Sequence, residues 1–420
     1  MIPASKYEEL SIMGVMEKHA WRFADAGDSP TSYALPTRKD RFTSLDALRG
    51  IAASGVVATH VLQLGFPSLV LNHSLFRMLV NGRCFVIFFF LLSGFVLSIS
   101  LLRAHPLRSY PNYLLRRVVR IYLPYCVAGL IAVGVAQYTH VSVGLRAILD
   151  HFLLVGTSAG IDLNNPSWSL IYEMRISIIL PLMCWAFLRH RRAFWIGMLA
   201  VAIAEEAGIV GLGIGQFPYS SETLLGAMTI TARYTLCFAV GMWLAFSVLS
   251  QSSWLTRVRG LMVPLLGAFA FVLMSVLLDY TSLIGGAVVL VLALRSSVLK
   301  RVLSLPVLAW LGRVSYSLYL THVLVLAVTM TALHDVATPG FAALIGSAIA
   351  LLFAEVFYRA VEATSIFLAK SLKIKNIKTE LAAEPAWAGS KFGETASTGH
   401  RMKLNFNARG TSVTRSSAQP

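Results

Sequence analysis

Long apolar segments alternate with short polar connections along most of the chain. A helix needs roughly 20 mainly apolar residues to cross a hydrocarbon core of about 30 Å. The pattern predicts ten transmembrane helices, at 45–65, 82–102, 120–139, 167–188, 193–212, 225–249, 260–278, 282–299, 312–333 and 338–360. The expected fold is therefore all-α, a polytopic membrane protein of about ten transmembrane helices.

Composition supports this class and excludes a soluble fold. The 420 residues are 56% hydrophobic and 13% charged, with a mean hydropathy of +0.68. We expect a cytoplasmic N-terminal leader at 1–44, a transmembrane domain at 45–360 and a largely disordered cytoplasmic C-terminal tail at 361–420. Within the leader, residues 8–24 fit either a mobile tail or a weak amphipathic helix on the membrane surface.

The net charge of +16 reflects topology and does not indicate a nucleic-acid partner. Lys and Arg crowd alternate connections, in the segments TRKDR, RRVVR, RHRR, TRVRG, KR and KSLKIKNIK. The opposite connections contain little more than Arg77 and Arg146. By the positive-inside rule, both termini are predicted to be cytoplasmic.

The four cysteines stand singly in apolar segments, at 84, 126, 184 and 237. None has the Cys/Cys or Cys/His spacing of a metal site, and no disulfide framework is indicated. We expect no bound metal, and we interpret the cysteines as small core residues.

The segment LDALRGIAASGVVATH, which begins the first predicted span, carries three charged or ionisable residues. Such side chains are energetically costly inside a bilayer. Asp46, Arg49 and His60 share one helical face, because eleven residues separate Arg49 from His60. The helical rise puts His60 about 16 Å deeper than Arg49. Its imidazole is a candidate general base, or else a packing residue that bonds to a neighbouring helix.

Spans four and nine carry further polar stripes. Ser169 and Glu173 are four residues apart in NNPSWSLIYEMR, at a depth that could match His60. The alternative for Glu173 is a structural salt bridge to Arg175 or to a distant arginine. In LGRVSYSLYLTHVLVL, one helical face carries a second stripe, which fits either site lining or packing: Ser315, Tyr319 and His322.

Five motifs in this order resemble the acyltransferase-3 family of integral-membrane proteins: LDALRGIAASGVVATH, FFFLLSGFVLS, RRVVRIYLPY, PSWSLIYE and LGRVSYSLYLTH. The resemblance covers about residues 41–360. It implies an enzyme that O-acylates carbohydrates of the cell envelope, or other small acceptors. It also implies a multi-pass protein of the bacterial inner membrane, with acetyl-CoA or a related acyl-CoA as co-substrate and no bound cofactor.

The resemblance carries the family's functional motifs onto specific positions. Its arginine–histidine motif falls on Arg49 and His60, and its arginine pair on Arg117 and Arg120. Its tryptophan–serine–leucine–glutamate motif falls on four residues of span four: Trp168, Ser169, Leu170 and Glu173. The aromatic residues that usually follow this motif are replaced here by MRISIILPL, which indicates a different acceptor pocket.

Acyl transfer from a thioester to a hydroxyl needs a base and donors for the developing oxyanion. We assign the base to His60, with Glu173 expected either to orient its imidazole or to stabilise the imidazolium. Asp46 and Arg49 either anchor each other or contact the donor. Arg116, Arg117 and Arg120 either bind the phosphates of acyl-CoA, with Arg116 least favoured, or serve only as topology determinants.

The sequence leaves five classes of acceptor open: lipopolysaccharide, exopolysaccharide, a periplasmic glucan, a lipid-linked oligosaccharide and a secreted small molecule. Membrane lipid is an expected partner. The main alternative is a transporter of an acyl or glycan substrate that uses buried charges for coupling. A non-catalytic sensor or scaffold would leave the polar face of span one unexplained.

Overall fold

The computed structural model describes residues 38–71, 81–103, 107, 110–157, 161–214, 219–256, 258 and 260–372. In this part of the chain the regular structure is helical, without a β-strand. The predicted all-α membrane fold is confirmed. The proposed leader helix at 8–24 and the tail beyond residue 372 lie outside the described residues.

The helices follow one another with short connections. In chain order they are α1 (Arg38–Gly65), α2 (Pro67–Leu71), α3 (Gly82–Arg103), α4 (Tyr110–Tyr138), α5 (Leu145–Phe152), α6 (Ser167–Arg189), α7 (Arg191–Gly211), α8 (Leu224–Leu249), α9 (Ser253–Thr256), α10 (Met262–Ser275), α11 (Asp279–Arg295), α12 (Ser297–Leu303), α13 (Pro306–Ala332), α14 (Pro339–Phe357), a π-helical turn (Tyr358–Glu362) and α15 (Ala363–Ser371).

Eight helical segments of the described chain are long and apolar enough to cross a membrane: α1, α3, α4, α6, α7, α8, α13 and the continuous rod from α14 to α15. The predicted seventh and eighth spans correspond to shorter elements. Helix α10 has 14 residues, about 21 Å, which is less than the hydrocarbon thickness. Helix α11 bends by 94° into α12, so these two helices make at most one broken span.

Helix α3 lies at the centre of the bundle and α7 at its edge. In the most apolar window of α3, 78% of the residues are buried, against 17% in α7. The apolar side chains on α7 are therefore suited to face lipid. Three of the four cysteines are buried and the fourth is partly buried, and all four are free thiols, as expected for small core residues.

Helices α1 and α13 touch backbone to backbone, where each has a glycine. A Cβ atom added to Gly50 would lie 2.6 Å from the backbone nitrogen of Gly312. One added to Gly312 would lie 2.3 Å from the backbone oxygen of Asp46. Small residues allow this close approach in membranes, where van der Waals packing drives helix association. The contact fixes the register between the two helices.

Two helix boundaries differ from the prediction in ways that affect the site. Helix α4 begins at Tyr110 instead of residue 120, because the polar stretch before residue 120 is itself helical. The last span continues beyond residue 360 through the π-helical turn into α15, which packs on α4 through a 3.4 Å hydrogen bond from Ser365 to the backbone oxygen of Arg120. Residues 361–371 are therefore packed helix, where the sequence predicted a tail.

Candidate active site

The structure brings two histidines together inside the bundle. The ring centroids of His60 on α1 and His322 on α13 are 5.2 Å apart, with the planes tilted by 47°. His322 is buried and His60 is partly exposed. We call these two residues the histidine pair. Each histidine follows its glycine contact by ten residues, so parallel helices in register bring the two rings to one depth.

The surroundings of His322 fix its tautomer. Its Nδ1 lies 2.8 Å from the backbone oxygen of Tyr319 and 3.1 Å from that of Leu318. Because carbonyl oxygens only accept, Nδ1 must carry a proton and donate it. Nε2 of a neutral His322 therefore presents a lone pair. This atom is buried and has no hydrogen-bond partner in the described part of the chain.

Two hydroxyl groups, one from α6 and one from α13, meet at a tyrosine whose ring neighbours that of His322. The hydroxyls of Ser169 and Tyr319 are 2.7 Å apart, and the ring of Tyr319 is 6.1 Å from that of His322. Trp168 packs edge-on to Phe90 of α3. Ser169 and Tyr319, two of the sequence candidates, therefore meet across the bundle.

Ser315 does not join this group through any hydrogen bond recorded in the described residues. Its hydroxyl donates to the backbone oxygen of Gly312, one turn earlier in the same helix, at 2.8 Å. Such a bond satisfies a buried hydroxyl locally. For Ser315 this favours the packing interpretation.

Glu173 forms an ion pair with Arg117 and does not bond to His60. Its carboxylate accepts from the Arg117 guanidinium and from the Ser93 hydroxyl, the latter at 2.7 Å. Arg117 also donates to Ser177 at 3.2 Å. The expectation that Glu173 orients His60 is therefore corrected, and the alternative of a salt bridge to a distant arginine describes the structure.

The depth at which α6 begins explains this correction. Ser169, in the first turn of α6, already bonds to Tyr319, which lies near the middle of α13. Counting crossings, α6 and α13 run in opposite directions. Moving from Ser169 to Glu173 therefore leads about 6 Å away from the level of His322. Helical periodicity predicted the shared face of Ser169 and Glu173, but it does not encode this offset between helices.

A layer of arginines lies on the Glu173 side of the histidine pair. Arg49 interacts electrostatically with Arg120, Asp46, Glu173 and Arg117. Asp46 and Arg120 are exposed, whereas Arg49 is partly buried and Arg117 is buried. We call Arg49, Arg117 and Arg120 the arginine layer. It reaches from the protein surface to the buried ion pair.

Sequence reasoning missed one acidic residue that lies next to the arginine layer. Glu362 is buried and accepts a hydrogen bond from Ser317 at 2.5 Å. It also interacts electrostatically with Arg120 and Arg49. The available signal was an acidic residue within an apolar stretch. Because the last span was predicted to end at residue 360, Glu362 was assigned to the tail and was not considered.

Arg116 points elsewhere, although it neighbours Arg117 in sequence. It is exposed, and its Nε donates to the backbone oxygen of Leu372 over a long 3.5 Å. Arg175, the sequence-adjacent candidate partner of Glu173, instead donates to the backbone oxygens of Leu154 and Val155, at 3.2 and 2.7 Å. It thereby holds the segment that precedes α6.

A second charged network lies near the start of α3. Arg83 forms a two-pronged ion pair with Asp279 at 2.6 and 2.8 Å. Arg233 pairs with Glu205 at 3.0 Å and Glu206 at 2.6 Å. We call these five residues the distal network. They link α3, α7, α8 and α11. The sequence analysis did not select any of them, although charges in apolar spans were the available signal.

Aromatic rings surround the distal network. The guanidinium of Arg83 lies 5.2 to 5.7 Å from the ring centroids of Trp168, Tyr219 and Tyr234. Tyr219 is 46% exposed, so the cluster reaches the surface. Arg83 and Ser93 are ten residues apart on α3, about 15 Å. The distal network and the arginine layer therefore lie at different depths of the bundle.

This arrangement offers an imidazole that can accept a proton within the helix bundle. Within the described residues, no group of three or more His, Cys, Asp or Glu side chains has the geometry to hold a metal ion. The chemistry that these residues offer directly is general acid–base catalysis by imidazole.

Comparison with known proteins decides the family. The model of the acyltransferase-3 family, described as an acyltransferase domain, matches residues 42–359, more than half of the chain. The chain belongs to the acyltransferase-3 family. It is an acyltransferase and a multi-pass membrane protein. Family membership rules out the transporter and scaffold alternatives, and it gives the polar residues of α1 a chemical context.

Curated relatives have compatible names. The chain is 28% identical to the acyltransferase MdmB of Streptomyces mycarofaciens over 330 residues, which are 70% of this chain and 81% of that protein. It is 25% identical to a putative O-acetyltransferase of Staphylococcus aureus strain COL over 365 residues, 76% of this chain but 56% of that protein. The chain thus matches just over half of the staphylococcal protein's length. No solved structure gives a significant match.

Proposed function

We propose that this membrane O-acyltransferase moves an acetyl or other short acyl group from acyl-CoA to a carbohydrate hydroxyl. The observation that carries the proposal is the position of the partly exposed His60. It lies beside the buried His322, whose neighbour Tyr319 shares a hydrogen bond with Ser169, and the arginine layer lies at another depth. A base inside the bundle lets two substrates reach it from different ends.

His60 takes the proton of the acceptor hydroxyl, and the hydroxyl oxygen attacks the thioester carbonyl carbon. The tetrahedral oxyanion accepts a hydrogen bond from the Tyr319 hydroxyl, which is free to donate when Ser169 donates to it. Collapse of the intermediate breaks the C–S bond. The departing thiolate takes the proton from His60, so an ester and free CoA result.

The arginine layer suits the donor, because acyl-CoA carries phosphates and guanidinium groups bind phosphate with two parallel hydrogen bonds. Arg120 is exposed at the surface end of the layer, and Arg49 lies next to it in the interior. We assign phosphate binding to these two residues. Arg117, already paired with Glu173, holds the layer in place. Arg116 points elsewhere and contributes least.

We assign the acceptor to the end of the bundle that carries the distal network. Sugar rings stack on aromatic side chains, and Tyr219, which is exposed, offers one beside Arg83. The Lys/Arg distribution then orients the protein in a bacterial inner membrane, with both termini and the donor entrance cytoplasmic. The acceptor is a lipopolysaccharide, exopolysaccharide, glucan or lipid-linked oligosaccharide.

Mass spectrometry of envelope glycans tests this proposal. Glycans from cells with the wild-type protein should carry an acyl group that is absent from cells without it, and His60→Ala at equal protein level should match the deletion. The mass difference identifies the acyl group. Identical glycan acylation in all three strains would refute a carbohydrate acceptor.

A further inference from the structure

A buried nitrogen without a hydrogen bond lowers the stability of the folded protein. Nε2 of His322 is such an atom in the described part of the chain, which indicates a functional role for it. The same ring makes full use of its other nitrogen, through the backbone oxygens of Leu318 and Tyr319. Nδ1 therefore anchors the ring, and Nε2 is held as a fixed acceptor. Nε2 is therefore placed to accept a hydrogen bond from a donor group that moves toward it during the reaction.

His60 is the neighbour that can supply this donor. Its ring centroid is 5.2 Å from that of His322, with the planes tilted by 47°. At this separation, a nitrogen of His60 comes within hydrogen-bond distance of Nε2 when the edges of the two rings face each other. Catalytic hydrogen bonds are often long before substrate binds and tighten in the reacting complex.

We propose that His322 is the positioning residue of His60, accepting a hydrogen bond from its N–H through Nε2. This inference rests on the proposed function, because it assigns the role that the sequence analysis gave to Glu173. The hydrogen bond selects one tautomer of His60. The remaining nitrogen then keeps its lone pair toward the substrate hydroxyl.

The proton count is consistent at each step. In the resting state, one nitrogen of His60 donates to His322 and the other has a lone pair. The lone pair takes the proton of the acceptor hydroxyl, and the imidazolium keeps its bond to Nε2 of His322. When the C–S bond breaks, His60 returns this proton to the thiolate. His322 stays neutral throughout, as its buried position favours.

Two substitutions at position 322 separate the two nitrogens of the imidazole. The amide of Asn reaches the position of Nδ1, so His322→Asn keeps a donor for the backbone oxygens but removes the acceptor near His60. The longer Gln places its amide oxygen near the position of Nε2, so His322→Gln keeps that acceptor. His334, exposed in the connection after α13, gives the matched controls His334→Asn and His334→Gln.

Steady-state acyl transfer by the purified full chain should distinguish these variants. We expect His322→Asn to lower kcat roughly 10- to 100-fold, the size of loss seen when the hydrogen-bond partner of a metal-ligating histidine is removed, with an unchanged KM for acyl-CoA. His322→Gln should retain most of kcat. In a His60→Ala background, His322→Asn should cause no further loss, because His322 acts through His60.

A spectroscopic measurement tests the inference without relying on activity. Nitrogen-15 NMR of labelled histidines, with His60→Gln used to assign the signal among the ten histidines, reports which nitrogen of His60 carries the proton. The wild type should show a single tautomer and His322→Asn a mixture.

The outcomes separate the two claims. A wild-type protein that does not transfer any acyl group from acyl-CoA refutes the proposed function, whatever the NMR shows. An active wild type with a mixed His60 tautomer refutes the role of His322. So does a His322→Gln variant that is as impaired as His322→Asn at equal folded yield.

Discussion

His60 and His322 each lie ten residues beyond the point at which Gly50 and Gly312 bring α1 and α13 into backbone contact. Equal spacing on two parallel helices puts both imidazoles at one depth, with ring centroids 5.2 Å apart. The geometry of the site is thus set about 15 Å away, at a contact that only residues without a Cβ can make.

The glycine contact predicts a steric cost when a methyl group is added. Gly312→Ala should destabilise the protein by about 1–3 kcal/mol, the usual cost of overpacking, and should lower activity by shifting His322. Gly197→Ala is the control, because an added Cβ there meets no atom within 4 Å. Thermal unfolding in detergent measures both variants. Equal melting temperatures for the two would refute this role of the contact.

The ion pair between Arg117 and Glu173 predicts strong coupling between the two residues. Replacing one partner leaves the other, the buried Arg117 or the partly buried Glu173, as an unpaired charge, at a cost of up to roughly 3–5 kcal/mol. Arg117→Gln and Glu173→Gln should each lower the folded yield and melting temperature severely, and the double variant should recover part of the loss. Additive losses in this double-mutant cycle would show that the pair is not coupled.

The arginine layer predicts a selective effect on the donor. Arg120→Ala should raise the KM for acyl-CoA about tenfold or more while the KM for the acceptor is unchanged, because one charged hydrogen bond contributes about 1.5–3 kcal/mol. Arg120→Lys should restore part of the affinity, since it keeps the charge without the planar fork. Arg301→Ala on the exposed face of α12 is the control. An unchanged KM for acyl-CoA in Arg120→Ala would move the donor site elsewhere.

Topology gives a further prediction from the distribution of Lys and Arg. A periplasm-active reporter should be silent when fused after Pro420 and active when fused near Gly215. The prediction for Pro420 holds when α10 and α11 enter and leave the membrane on the same side, as two full crossings or as a short hairpin; a single crossing by α11 and α12 would reverse it. The reverse pattern would invert the proposed entrances of donor and acceptor.

The sequence predicted the fold well because apolar length and helical periodicity are local properties. The stripes on α1 and α13 correctly marked the faces that meet at His60 and His322. Relative depth is not local, and the sequence therefore assigned Glu173 to His60, whereas the start of α6 beside Tyr319 directs Glu173 to Arg117.

The distal network escaped prediction for a related reason. Arg83 and Asp279 are 196 residues apart, and their pairing depends on how α3 and α11 pack. Glu362 was missed because the π-helical turn extends the last span beyond its apolar core. These charges were visible as exceptions in apolar segments, but their partners were not.

Acyl transfer by the purified full-length protein in lipid nanodiscs tests the central claim most directly. Isotope-labelled acetyl-CoA and a panel of envelope glycans are supplied, and labelled ester and free CoA are measured together. The wild type should form both in equal amounts, and His60→Ala should be at least about a hundredfold slower while keeping its melting temperature. Near-normal turnover by a folded His60→Ala protein would contradict the assignment of His60 as the base.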